Sequence, residues 1–146
     1  MEIDLIKGLF IGFVTSLLLH LYFKYEWEKD HSFIHPLQFI EADFLLKYLK
    51  IRNTYLALII YYVMGSLHGL LYSVIADFFN STVQIAFLIA LILSILDWLI
   101  MMFILLPLAG RGIMGRLFYK HSPTQTFLLL AIYGFVNYAL YVLYSL

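Results

Sequence analysis

TYLALIIYYVMGSLHGLLYSVIA, Thr54 to Ala76, contains no Asp, Glu, Lys or Arg. A bilayer crossing needs about 20 mostly apolar residues, and this stretch meets that requirement. VQIAFLIALILSILDWLIMMFILL, Val83 to Leu106, is as apolar, with Asp97 as its sole charge. Ile3 to Phe23 and Phe127 to Leu146 complete a set of four. The sequence predicts an all-α membrane protein: one domain over residues 1–146 with transmembrane helices at about 3–23, 54–76, 83–106 and 127–146.

With 64% hydrophobic residues in 146, no stretch is polar enough to form a separate soluble domain. A formal net charge of zero gives no basic excess for nucleic acid. There are no cysteines, which excludes disulfides, thiolate nucleophiles and cysteine-held clusters. The first apolar segment opens Met1, Glu2, Ile3, Asp4 and closes without small residues, so it reads as a retained helix and not as a cleaved leader.

Lys24, Lys29, Lys47, Lys50 and Arg52 lie between the first and second spans, and Arg111, Arg116 and Lys120 between the third and fourth. Lys7, the remaining positive residue, is offset by Glu2 and Asp4. Because cytoplasmic loops carry the excess of Lys and Arg, both loops are placed on the inner side of an inner membrane and both termini outside. Within the first loop His35 and Pro36 suit a helix start. Leu37, Ile40, Phe44, Tyr48 and Ile51 then recur at helical spacing beside a stripe of Asp43, Lys47 and Lys50. An amphipathic interfacial helix over about 36–50 follows, either lying on the membrane with its lysines toward anionic headgroups or packing under the bundle.

Gly65, His68, Gly69 and Tyr72 in the second span match Gly134, Asn137, Tyr138 and Tyr141 in the fourth at the same offsets. Such a repeat would relate two hairpins by an axis along the membrane normal. Gly8 with Gly12, Gly65 with Gly69, and Ala86 with Ala90 put small residues one turn apart, the signature of close helix seams. The sequence leaves open whether these seams close one bundle or join copies.

A carboxylate inside a membrane helix faces the bundle interior with a partner or takes up a proton. At about 1.5 Å per residue from the inner ends, Asp97 lies roughly 15 Å deep and His68 and Asn137 roughly 20 Å. The three form a candidate ligand or proton site, histidine being the side chain that titrates near neutral pH. The plainer alternative is a bond from Asp97 to Ser66, Ser94, Tyr62 or Asn137 that fixes helix register. His20 lies too far along its helix from His68 to share a haem, and His31, His35 and His121 have no metal-ligand spacing, so no cofactor or metal is assigned. Gly110 to Gly115 spells GxGxxG but follows a span and not a strand, which removes the dinucleotide reading. Arg111 and Arg116 there are candidates for a lipid phosphate, or simply the charges of an inner-side turn. No nucleophile motif and no HExxH occurs.

Lys7 to Gly12 (KGLFIG) and Pro107 to Gly115 (PLAGRGIMG) resemble motifs of a family of small four-helix bacterial membrane proteins of unknown function. The resemblance implies the fold and a membrane location, and no activity. Members carry His one turn before the glycines of the second and fourth helices, where this chain has Tyr61 and Leu130, so a histidine-based site does not transfer. The leading expectation is a non-enzymatic small subunit or homo-oligomer acting through helix and lipid contacts, alone or in a larger membrane complex. The alternatives are a small transporter or proton-coupled binding protein using Asp97, His68 and Asn137, and a lipid-headgroup-binding or lipid-acting protein at Arg111 and Arg116.

Overall fold

The computed structural model describes residues 5–27, 39–79, 82–115 and 122–145. Among them lie five long helices, a single 3-10 turn at Ile113–Gly115 and no strand: α1 (Leu5–Trp27), α2 (Phe39–Leu49), α3 (Thr54–Phe78), α4 (Val83–Leu108) and α5 (Ser122–Ser145). Four of these, all but α2, are long and apolar enough to cross a membrane. They run up and down, α1 packing chiefly on α3 and α4 on α5, so the bundle is two hairpins side by side.

Local chemistry explains the helix ends. The Asn53 side chain accepts the Leu56 N–H at 3.1 Å and caps α3. Pro123 falls in the first turn of α5, where its missing N–H costs nothing. Pro107 has the opposite effect, because it lies four residues beyond Phe103 and can offer that carbonyl no donor while its ring crowds it. The chain responds with a wide turn over Met101–Leu105, in which the Leu106 N–H reaches the Met101 carbonyl. α4 therefore continues to Leu108, beyond the expected end at Leu106, and α5 begins five residues before the expected Phe127.

The small-residue seams close within the chain. A Cβ on Gly12 would collide with the Gly65 carbonyl oxygen and lie 2.9 Å from the Gly69 Cα. One on Gly8 would lie 2.8 Å from the Leu70 Cα. On the other hairpin, Gly134 packs against Ser94 and would place a Cβ 3.0 Å from the Ala90 carbonyl. The two seams match in detail: Ser16 donates to the Gly12 carbonyl at 2.9 Å and faces Gly65, while Ser94 donates to the Ala90 carbonyl at 2.8 Å and faces Gly134. Burial is thus assigned to small and polar residues such as Ser16, Ala57, Ser73, Ala76, Ala86 and Ser94, whereas Ile6, Ile59 and Met64 face outward.

α2 differs from its expected pattern. Its start at Pro36 lies outside the described residues, and from Phe39 it is wound with the wider i to i+5 spacing. Its buried residues are Phe39 and Leu45, while Phe44, Tyr48 and Ile51 of the apolar stripe are exposed. Phe39 packs with Met102, Leu106 and Ala109 at the end of α4. Lys47 Nζ donates to the Leu108 carbonyl at 3.0 Å, and the Tyr48 hydroxyl donates to the same oxygen. A lysine on the last carbonyls of α4 also complements the negative end of its dipole. Gly110, at φ +79°, makes the turn beyond; a Cβ there would press on Lys47 Nζ.

Candidate functional site

His68 sits on the face of α3 that continues from Gly65, and Asp97 on the face of α4 that continues from Ala90 and Ser94. Where the hairpins meet, His68 Nδ1 lies 3.2 Å from Asp97 Oδ2. The side chains keep 18% and 31% of their surface exposed, so the pair is sheltered without being sealed. Of the register partners available to Asp97, Ser94 is already committed to Ala90.

Tyr133 of α5 stands over this pair. Its ring meets that of His68 edge-on at 5.0 Å between centroids, and its hydroxyl donates to the Gly65 carbonyl at 2.9 Å. The same hydroxyl lies beside the side chains of Ser16 and Asn137. Asn137 is fully buried: its amide donates to the Tyr133 carbonyl at 3.1 Å, and its oxygen accepts from Thr15 at 3.2 Å. The candidate triad is therefore a contact pair, His68 and Asp97, linked to Asn137 through Tyr133.

Toward the Lys7 end a closed layer follows. Ile11, Tyr72, Ala76 and Ala86 are each at most 1% exposed and belong to one apolar cluster with Ile89, Leu93 and Tyr141. The Tyr72 hydroxyl donates across it to the Ala86 carbonyl at 2.9 Å. Beyond it lies a polar group that the sequence reading missed. Lys7 is largely buried, its ammonium 4.1 Å from the centre of the Tyr141 ring, and the Tyr141 hydroxyl donates to Asp77 at 2.6 Å. The signal was a lysine two residues inside an apolar helix and an aspartate one residue from the end of another.

The remaining candidates do not join the centre. His20 packs between Tyr61 and Tyr62 at 6.2 and 6.0 Å, within the α1–α3 hairpin. Arg111 is 9% exposed, folded into the turn and not displayed to a surface. Arg116, His31, His35 and His121 lie outside the described residues. Among the described residues no three His, Asp or Glu side chains converge to hold a metal.

Fold and centre together define a helical bundle of multi-pass length and composition, with an acid–base pair set between its two hairpins. No family model, curated protein or solved structure matches the chain.

Proposed function

We propose that this chain is a non-enzymatic, four-span protein of the inner membrane whose His68–Asp97 pair holds a proton or a small cation within the bilayer. The single observation that carries this reading is the 3.2 Å contact between the two groups. A carboxylate that only fixed helix register would serve as well with a neutral hydroxyl or amide partner. Histidine is a partner that can itself take up or release a proton, at a depth where charge is costly.

The membrane placement is supported by the four long apolar helices and by the many Leu, Ile, Phe and Met side chains they expose, which is unfavourable in water and favourable in lipid. The basic segments put α2 and the α4–α5 connection on the cytoplasmic side and both termini outside. α2 then lies at the inner membrane surface. Its exposed Phe44, Leu46, Leu49 and Ile51 reach toward acyl chains while Lys50 and Arg52 meet anionic headgroups, making membrane lipids its partners.

Dicyclohexylcarbodiimide, which enters lipid and reacts with protonated carboxyl groups, tests the reading. In vesicles the wild type should be modified at Asp97 in a pH-dependent manner, and His68→Leu should change that dependence. Modification at a pH-independent rate, or none at Asp97, contradicts a proton-holding pair.

A further inference from the structure

Tyr133 and Gly134 are neighbours on α5, and they engage different helices of the pair. Gly134 packs on α4, where a Cβ would collide with the Ser94 hydroxyl and lie 3.0 Å from the Ala90 carbonyl. Ser94 stands three residues before Asp97, so the two share a face of α4. Tyr133 reaches instead to α3, where its hydroxyl donates to the Gly65 carbonyl at 2.9 Å. Gly65 stands three residues before His68, again on one face. The close approach suits a glycine there, since a Cβ on Gly65 would collide with the Ser16 hydroxyl and lie 3.3 Å from that of Tyr133. Two consecutive residues of α5 thus bear on the α4 face that carries Asp97 and the α3 face that carries His68.

An imidazole does not hold one orientation unaided. Its second side-chain torsion is broad and roughly two-fold, so the 3.2 Å contact with Asp97 alone leaves the ring able to turn or swing away. The Tyr133 ring restricts it, meeting the His68 ring at 71° and 5.0 Å between centroids, a favoured edge-on geometry. Tyr133 is itself held at both ends. Its hydroxyl is tied to α3, and its backbone carbonyl accepts the amide of Asn137, a fully buried side chain whose oxygen accepts from Thr15 of α1 at 3.2 Å.

We propose that Tyr133 is the positioning residue of the His68–Asp97 pair, its anchored ring fixing the imidazole with Nδ1 toward the carboxylate. The proposal deepens the reading of the pair as a proton or cation site and rests on it. A proton or cation held between Nδ1 and the carboxylate meets two groups already oriented.

The separation of His68 Nδ1 from the Asp97 carboxyl carbon reads that orientation directly. It is measured by ¹³C–¹⁵N dipolar recoupling in the full chain, labelled at aspartate and histidine, in phosphatidylethanolamine–phosphatidylglycerol bilayers, and the signal is assigned by its loss in Asp97→Leu. Tyr133→Leu removes the ring, and Tyr133→Phe keeps the ring but removes its anchor. Tyr61→Phe is the control, because it removes a bond of the same kind, to the Ser16 carbonyl at 3.1 Å, beside His20. The ratio of turned-away to facing imidazole should rise roughly tenfold in Tyr133→Leu, the upper end of what an edge-on aromatic contact supplies, and by less in Tyr133→Phe. Tyr61→Phe should keep the wild-type coupling. Wild-type coupling in either Tyr133 variant overturns the proposal, as does an equal loss in Tyr61→Phe, which would mark general loosening of the bundle. The distance is read at one pH and does not require the pair to titrate, so its outcome is separate from that of the carbodiimide test.

Discussion

Gly12 of α1 meets Gly65 of α3 backbone to backbone, with no room between them for a single carbon. Because a Cβ on Gly12 faces main chain and not a movable side chain, Gly12→Ala should force α1 and α3 apart at a cost of about 1–3 kcal/mol. At Gly134 the nearest atom is the Ser94 hydroxyl, which can rotate away, so Gly134→Ala should cost less. Unfolding of both variants in mixed micelles checks the order, and equal losses would contradict it.

Tyr72 is buried, and its hydroxyl bonds α3 to α4 across the layer that closes the Lys7 end. Tyr72→Phe keeps the ring and its edge-on contact with Tyr141 at 5.4 Å while removing that bond. A loss of about 0.5–1.5 kcal/mol is expected in the same unfolding measurement. No loss would show that the layer is held by packing alone.

Replacing both members of the pair should separate stability from function. Asp97→Leu alone leaves His68 without its partner and should destabilise by roughly 1–3 kcal/mol. His68→Leu with Asp97→Leu removes both polar groups, and a chain at least as stable as that single variant is expected, since a buried ion pair is often replaced by apolar residues without loss. A double variant less stable than Asp97→Leu would assign the pair a structural role.

Much of this bundle is legible in the sequence because composition alone marks the four long apolar helices. The glycine seams were readable for the same reason, since only small residues let backbones approach. Which residues would meet was less so: Asp97 had several polar groups within reach by depth, and its rotation toward His68 depends on which hairpins form. The contact of Lys7 with Tyr141 was not legible because Tyr141 lies far from it along the chain. The wide winding of α2 was not legible in its apolar spacing, which suits an ordinary helix equally well.

Pro107 sets the wide turn that brings Met102 and Leu106 against Phe39. Pro107→Ala restores a donor for the Phe103 carbonyl and should return Met101–Leu105 to ordinary α-helix, rotating those side chains away from α2. Hydrogen exchange of the Phe39–Leu49 amides should then speed up roughly tenfold, as loss of about 1.4 kcal/mol of docking would give. Unchanged exchange would show that Lys47 and Tyr48 suffice to hold α2.

The imidazole nitrogens of His68 in ¹⁵N-histidine-labelled protein, followed by solid-state NMR in bilayers between about pH 5 and 8, read the proton of the pair itself. A pH-dependent transition at His68 in the wild type, with a midpoint that moves in Asp97→Asn, is the expected result. A His68 signal that ignores pH across that range, or one that titrates identically with and without the Asp97 carboxylate, would contradict a shared proton.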